Sequence, residues 1–402
     1  SSDAIIPSVV RGDRLDEPKR HRNANQLLDG VTYRRRDPAA VTAARKSGWL
    51  SMTDRKWWRK SGLFVACLLV VCGGFAADSE KSVFPMVVVA WEGSGDFGPD
   101  TPGTKTAGWQ EAIDYCVANG RDLYVKGGWG GRKAIYHVQD TIRIPATQDF
   151  RIDGGVYVLN WTGPKDDPTK DLLVIDSTMN GEYHFGILVY GGAGAGLRIQ
   201  PKNPVPIDGF RVVVETEIKS QGIADPHPFT LSERKTGTGL VLDGTHAPIV
   251  NSRFDFLGGI LNFKTCVEAT GAFMHNHFNC LHLHTNADNS TLFKLGPDCS
   301  QNVMDLAIAV DMGAQNVKGI EISGRNNVLQ VMTGGGFPEG NSIILGTSAS
   351  GNRIELIHGN DRINPVDHIT DEALNPTNQL TWVGGTIPVS TVKAEPGTYI
   401  YT

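Results

Sequence analysis

The sequence predicts an all-β fold, a right-handed parallel β-helix wound in coils of about 25 residues, with a capping helix at its N-terminal end. Three observations predict it: an asparagine that recurs at a near-constant interval, a short alternating strand after each of these asparagines, and a composition rich in turn residues. The 402 residues include 47 Gly and 21 Pro, and 20% of them are charged. This composition excludes a collagen, a coiled coil and a wholly disordered chain.

The asparagine repeat is the most specific of the three. Strands of successive coils stack about 4.8 Å apart, so a side chain at a given position meets its counterpart one coil away. Asn tolerates the left-handed bend of a tight corner, and its amide can bond to the next Asn. We expect five asparagines to form a ladder at one corner, with the strand after the first slipped by one residue: Asn251, Asn276, Asn302, Asn327 and Asn352.

The N-terminal region is expected to lie outside the folded body. Residues 1–51 are polar and basic without periodicity, which predicts a disordered extension or, if translation begins at Met52, a stretch that is not translated. Residues 52–77 combine the basic run RKWWRK, an apolar stretch and a small-residue site, the pattern of a signal peptide. The predicted location is therefore secreted or periplasmic, with no membrane contact after cleavage.

The remaining chain divides into three parts. Residues 78–122 are predicted to form an N-terminal cap with one short helix at 109–119, where the apolar side chains fall on one face. Residues 123–360 are predicted to form the β-helix, because short alternating strands follow one another with Gly, Asn and Pro between them. Residues 361–402 are predicted to form a C-terminal cap.

Charge and cysteine content indicate which partners and which covalent links the chain can have. The net charge is −5, yet residues 1–60 carry 14 Lys+Arg against 7 Asp+Glu, so the rest of the chain is acidic. An acidic body argues against nucleic acid as a partner. Each cysteine of the mature chain is expected to be a small buried residue, with a Cys266–Cys280 bridge as the alternative. No cofactor is predicted, since the spacing of ligand residues does not support a Ca or Zn site.

Two stretches carry a family resemblance, TAGWQEAIDYCVANGRDLYVKGG and AIYHVQDTIRIPATQDFRIDGG. They resemble the opening of the pectate-lyase-like β-helix superfamily, in which a capping helix leads into a Gly-x-Tyr strand and then a strand of the tIxIP type. That superfamily contains polysaccharide hydrolases and lyases, epimerases and phage tailspikes. The resemblance implies the fold and a polysaccharide partner. The motifs of the polygalacturonase branch are absent, so its catalytic residues do not carry over.

The register after the asparagine corner predicts a candidate site. Asn279 and Asp305 are expected on one outward file, which Asp255 and Arg253 join if the first coil is slipped. Asp255 and Asp305 would lie about 10 Å apart along the axis, and side-chain reach can shorten this to the ~6.5–9.5 Å of an inverting glycosidase pair. Asp305 would act as the general acid and Asp255 as the base. An ordinary solvated face of a sheet is the alternative.

A histidine cluster, MHNHFNCLHLHT, offers a second chemistry. His282 and His284 alternate with leucines, so both are expected to face outward, in the same coil as His277. Histidine acts as a general acid or base near neutral pH. In a β-eliminating lyase, His277 or His282 would be the base, and Arg253 or Lys264 would neutralise the uronate.

Two long irregular segments, 160–170 and 218–238, are expected to wall the binding face. They supply Trp161 and His227 as substrate-binding residues beside Arg253 and Asn279. The sequence thus predicts an exported carbohydrate-active enzyme that cleaves a polysaccharide, with glycoside hydrolysis preferred to β-elimination. A non-catalytic glycan-binding or scaffold protein is the alternative. The choice between a monomer and a homotrimer stays open.

Overall fold

A computed structural model of the chain describes residues 86–128, 134–202, 205–220, 236–310, 314–334, 337, 341–358, 369–374, 377–383 and 398–401. The extension and the signal peptide lie outside the described residues. The domain boundaries given above stay predictions. Within the described part, no helix is long and apolar enough to cross a membrane.

The described chain winds through about eight turns of a right-handed parallel β-helix, which confirms the predicted fold class. Its strand pairings are all parallel, as expected when each coil returns to stack on the previous one. Two sheets, A and B, enclose the apolar interior, and alternate side chains of each strand point into it.

Sheet A carries two strands per coil in the first coils and one strand per coil from His277 onward. Its strands are β1 (Val87–Val89), β2 (Leu123–Val125), β3 (Ala134–Val138), β6 (Arg151–Gly154), β7 (Tyr157–Trp161), β10 (Glu182–Phe185), β11 (Ile187–Val189), β14 (Arg211–Val214), β15 (Glu217–Lys219), β17 (Arg253–Phe256), β18 (Gly259–Leu261), β20 (His277–Thr285), β22 (Val303–Val310), β24 (Val328–Thr333), β26 (Arg353–His358), β28 (Gln379–Val383) and β29 (Thr398–Tyr401).

Sheet B forms the opposite wall. Its strands are β4 (Ile142–Ile144), β5 (Thr147–Gln148), β8 (Leu173–Ile175), β9 (Thr178–Met179), β12 (Ala195–Ile199), β13 (Ile207–Asp208), β16 (Thr238–Val250), β19 (Thr265–Met274), β21 (Thr291–Leu295), β23 (Lys318–Ile322), β25 (Ile343–Leu345) and β27 (Ile369–Asp371). Its outward face carries a charge ladder, in which Lys294 pairs with Glu268 at 3.0 Å.

One helix, α1 (Trp109–Asn119), occurs among the described residues, and it has the predicted bounds. It ends at Gly120, whose φ of 60° is the left-handed conformation that glycine adopts without strain. The indole of Trp109 is fully buried and packs against two tyrosines of the first coils, with ring centroids 6.0 Å from Tyr136 and 5.4 Å from Tyr157. The apolar face of the helix thus joins the interior of the solenoid.

An asparagine ladder runs along one corner, and each step has the same geometry. The backbone N–H of Asn276 and its side-chain amide both donate to Oδ1 of Asn302, at 3.0 and 3.2 Å. The same amide donates to the carbonyl of Ile249 at 2.9 Å. The ladder satisfies buried amides one coil after another, and its members are Asn276, Asn302, Asn327, Asn352 and Asn378.

Asn251 is not part of this ladder, which corrects the prediction. Ser252 holds the equivalent position, and its backbone N–H donates to Oδ1 of Asn276 at 2.9 Å. The first coil is therefore slipped by one residue, as expected. Asn251 instead takes the left-handed bend, with φ 49°, and donates to Asp208. The same bend precedes the later ladder residues at His275, Gln301, Asn326 and Gly351.

Candidate functional site

The outward side of sheet A carries two neighbouring files of side chains, one after the corner residue and one two positions later. The first file contains Glu182, Arg211, Arg253, His277 and Val303. The second contains Asp255, Asn279, Asp305, Gln330 and Glu355, in the predicted register. We call the polar face the cluster formed by Glu182, His184, Arg211, Glu215, Arg253, Asp255, His277, Asn279 and Asp305.

Asp255 is buried although it lies on an outward file. Its side chain is only 3% exposed, because two arginines and an asparagine cover it. Nε of Arg253 donates to both carboxylate oxygens, at 2.7 and 3.0 Å, and Arg211 and Asn279 approach at 3.5 and 3.4 Å. Burial alone would raise the pKa of Asp255, but hydrogen bonds from Arg253 and Asn279 and the two guanidinium charges hold it below its ordinary value.

This burial argues against the predicted carboxylate pair. Asp255 and Asp305 share a file as expected, two strands apart, or about 10 Å along the axis. An inverting glycosidase needs space for a water molecule beside its base. The lone pairs of Asp255 are instead occupied by Arg253 and Asn279, so the carboxylate is closed to such a water.

Asp305 has a different partner. Nε2 of His277, on the neighbouring strand, lies 3.2 Å from Oδ2 of Asp305, and the two side chains are 35% and 44% exposed. A carboxylate at this distance orients an imidazole, and when Nε2 carries the proton, Nδ1 is left as the basic nitrogen. The arrangement is therefore a partly exposed histidine beside a carboxylate that can orient its ring. It combines two residues that the sequence assigned to different mechanisms.

The polar face continues one and two coils earlier through a chain of ion pairs. His184 lies between Glu182 and Glu215, at 3.2 and 3.3 Å. Glu182 also pairs with Arg211 at 2.9 Å, and Arg211 reaches Asp255. The pKa of Glu182 lies below its ordinary value, chiefly because of a hydrogen bond from His184; burial opposes this effect, and a hydrogen bond from Arg211 adds to it. Charged groups thus connect three successive coils of sheet A.

Sequence reasoning missed Glu182, His184 and Arg211. The spacing from Arg211 to Arg253 is 42 residues, because a long segment interrupts the 25-residue rhythm before β16. A local signal was present nonetheless. Asn180 and Gly209 take the left-handed bend just as Asn251 does, and each is followed, two residues later, by the first outward side chain of a strand.

The other lyase candidates lie away from this centre. β20 contains a bulge, since two residues lie between Cys280 and Leu283 where only one lies between their partners on β22. Leu281 consequently points to solvent, while the ring of His282 lies 5.2 Å from that of His284. His284 is only 5% exposed, so its ring is covered and does not present a surface to a ligand. Lys264 lies in the turn between β18 and β19, where Nζ donates to the carbonyl of Asp288.

Trp161 is not a sugar-stacking residue in this structure. It ends β7 with its indole 5% exposed, and the ring packs against Tyr190 at 5.4 Å between centroids. Nε1 donates to the carbonyl of Pro164 at 3.1 Å. The strand alternation turns Trp161 into the core, which contradicts its prediction as a binding residue. His227, in the other long segment, lies outside the described residues.

Cysteines and metal ligands add nothing to the polar face. The four described cysteines are buried and unbridged, as the main prediction had it, and the Cys266–Cys280 bridge is absent. Burial raises the pKa of both thiols to about 12, which leaves them protonated. Within the described ranges, no three His, Cys, Asp or Glu side chains come together as a metal site would require.

Of three comparisons with known proteins, only the one with solved structures gives matches. No protein-family model matches the chain, and the search of curated proteins finds no match either. Among solved structures, the Dettilon tailspike protein is similar at 14% identity, over 69% of this chain and 67% of that one, with a TM-score of 0.22. A mutant tailspike of E. coli bacteriophage HK620, in complex with a pentasaccharide, is similar at 10% identity over 78% of both chains, with a TM-score of 0.17.

Proposed function

We propose that the polar face binds an acidic polysaccharide and cleaves it by β-elimination, with His277 as the base. One observation carries this proposal: the partly exposed His277 lies 3.2 Å from Asp305, while the other carboxylate of the predicted pair, Asp255, is buried beneath two arginines. The arrangement offers a base and a cation on neighbouring strands. It does not offer two carboxylates with a water molecule between them.

The reaction assigns each group one role. Neutral His277 takes the proton from C5 of a uronic acid residue. The electron pair of the broken C5–H bond forms the C4–C5 double bond, and the bond from C4 to the glycosidic oxygen breaks. The leaving oxygen takes a proton from solvent. Asp305 orients the imidazole and stabilises the imidazolium that forms, as an acidic partner does for a histidine base.

Arg253 is the group that neutralises the substrate carboxylate. Its Cα pairs with that of His277 across neighbouring strands, about 4.8 Å apart, so a uronate on the guanidinium brings C5 towards the imidazole. Arg253 is 51% exposed, and only its Nε is used by Asp255. The guanidinium therefore keeps donors for a carboxylate, and charge neutralisation makes the C5 proton more acidic.

A panel of uronic-acid and neutral polysaccharides tests the proposal. The wild-type chain should release products with unsaturated ends, seen by ultraviolet absorbance, from a uronic-acid polymer only. His277→Gln and Asp305→Asn should lower kcat by about 10²–10⁴-fold, the usual contribution of a general base. His246→Gln is the matched control, because His246 is an exposed histidine of β16 in sheet B, outside the polar face. It should retain full activity.

Other results would replace the proposal. Reducing ends without unsaturation would indicate hydrolysis instead. Binding of a polysaccharide with no product of either kind would indicate a glycan-binding protein. Full activity in His277→Gln would remove the histidine from the mechanism.

Export is proposed on the sequence pattern of residues 52–77. Mass spectrometry of secreted material should find the mature N-terminus near Ala77 or Asp78. Secreted material that retains the RKWWRK run would contradict this proposal.

A further inference from the structure

Asp255 is an unusual residue for the outer face of a sheet. The side chains around it are exposed, with Arg211 at 45% and Arg253 at 51%, whereas the carboxylate beneath them is 3% exposed. Burying a carboxylate is costly unless it is paired and hydrogen-bonded. Asp255 meets that condition through Arg253, Arg211 and Asn279. The buried charge is therefore tied to exposed side chains of the polar face and not to the apolar interior.

The groups that Asp255 holds are those next to the proposed base. Arg253 precedes His277 in the first file, and Asn279 lies between Asp255 and Asp305 in the second. Arg253 uses Nε on both carboxylate oxygens, at 2.7 and 3.0 Å, and this contact limits the rotation of the guanidinium. The amide of Asn279 is held from the other side at 3.4 Å.

We infer that Asp255 is a positioning residue, whose buried carboxylate fixes the Arg253 guanidinium and the Asn279 amide as the docking site of a uronate beside His277. The inference rests on the proposed function and assigns Asp255 a role other than general base. Two features support it: the carboxylate has no access to a water molecule, and its partners are exposed side chains of the polar face. Without Asp255, the long side chain of Arg253 loses its anchor.

Binding to an acidic oligosaccharide in a His277→Gln background separates positioning from chemistry. In that background, Asp255→Asn should weaken binding of an oligogalacturonate by about tenfold to a hundredfold, the loss of one charge-assisted contact. Affinity for a neutral oligosaccharide of equal length should change less than twofold. In the active protein, Asp255→Asn should raise KM, with kcat reduced less, and leave the pH dependence of kcat in place.

A double-mutant cycle tests whether Asp255 acts through Arg253. In an Arg253→Gln background, the Asp255→Asn effect on binding should fall to less than about twofold, because coupled residues are not additive. Arg253→Lys keeps the charge without the planar fork and should bind weakly too. Arg353→Gln is the matched control, since Arg353 lies in the same outward file three strands beyond His277. It should bind as the wild type does.

Each failure has a distinct signature. If the wild-type chain neither binds nor cleaves any acidic polymer, the proposed function is wrong. If it cleaves one but Asp255→Asn keeps its KM and loses kcat with a shifted pH profile, Asp255 is the base. If the two substitutions add fully, or affinity falls equally for neutral and acidic ligands, Asp255 serves the fold alone. Asp255→Glu supplies a second variant if Asp255→Asn does not fold.

Discussion

The coils before and after Ser252 use the same corner of the β-helix in different ways. In the earlier coils, the residue after the left-handed bend is apolar or small: Phe150 and Phe210 are buried, and Gly181 lies between them. In the later coils, this residue is an asparagine bonded to its counterpart one coil away. The strands of earlier and later coils alike pair in parallel, so a coil can form with either an aromatic ring or an amide at this corner.

The outer face of sheet A changes at the same place. The first file carries ion-paired Glu182 and Arg211 in the earlier coils. In the later coils, it carries Val303 and Val328, which are 46% and 45% exposed. The candidate site lies at the junction, where His277 has Arg253 on one side of it in the first file and Val303 on the other. A solenoid thus varies its surface chemistry coil by coil while its interior stays continuous.

The largest expected effect tests the aromatic corner of the earlier coils. The Phe210 ring lies 5.1 Å from that of Tyr183 and 6.2 Å from that of Phe254, and its side chain is 1% exposed. Phe210→Ala should lower the free energy of unfolding by about 3–5 kcal/mol, as large cavities in cores do. Urea unfolding followed by circular dichroism measures the loss. Met332→Ala, at an exposed apolar position, should change it by less than about 0.5 kcal/mol.

A small loss for Phe210→Ala would mean that the earlier coils close around the missing ring. The free energy of unfolding would then depend little on the corner residue in the earlier coils, although this residue differs in chemistry from that of the later coils.

The second effect tests the ladder of the later coils. Asn302 is fully buried, and its amide donates to the carbonyl of Phe273 at 2.9 Å and to Oδ1 of Asn327 at 3.0 Å. Asn302→Ala leaves buried hydrogen-bonding groups on both neighbouring coils without their partner, and it should lower the free energy of unfolding by about 1–3 kcal/mol. The control is Asn316→Gly, because Asn316 is an exposed left-handed residue whose amide bonds to one exposed neighbour. A near-zero loss in Asn302→Ala would show that the ladder is a consequence of the coil and not a support for it.

The later coils were the predictable half of the molecule. Their repeat of Asn at 25-residue spacing is visible in one sequence, and helix α1 was predictable because apolar spacing and Gly120 define both its faces and its end. The earlier coils lack any such marker, since Phe150, Gly181 and Phe210 share a position but no chemistry. The repeat that predicts the fold class is therefore confined to the later coils.

The site was only partly predictable for a different reason. Register gave the shared file of Asp255 and Asp305, but the burial of Asp255 depends on Arg211, 44 residues away in sequence. The bulge at Leu281 is a one-residue irregularity without a sequence signature, and it altered the histidine pattern. Trp161 was assigned to the irregular segment 160–170, whereas it is the last residue of β7. The polar and Pro-rich sequence after Trp161 does not show at which residue the strand ends.

Acid titration distinguishes the buried carboxylate of Asp255 from the asparagine ladder. Because the folded pKa of Asp255 lies below its ordinary value of about 3.9, its carboxylate stabilises the fold above that pH. This stabilisation is lost as the pH falls through the folded pKa. The stability difference between wild type and Asp255→Asn should thus shrink as the pH is lowered from 7 towards 3. The difference for Asn302→Ala should stay constant, since an amide does not titrate. Parallel behaviour of the two variants would contradict this distinction.

The smallest effect concerns the residue at the junction itself. Asn251 holds the left-handed bend with φ 49° on the exposed side of the corner, and the ladder position passes to Ser252. Asn251→Gly removes the cost of a side chain in this conformation and loses one exposed hydrogen bond to Asp208. These contributions are similar in size, so the free energy of unfolding should change by less than about 1 kcal/mol. A loss equal to that of Asn302→Ala would mean that Asn251 belongs to the ladder in solution, and that the boundary between the two halves lies one coil earlier.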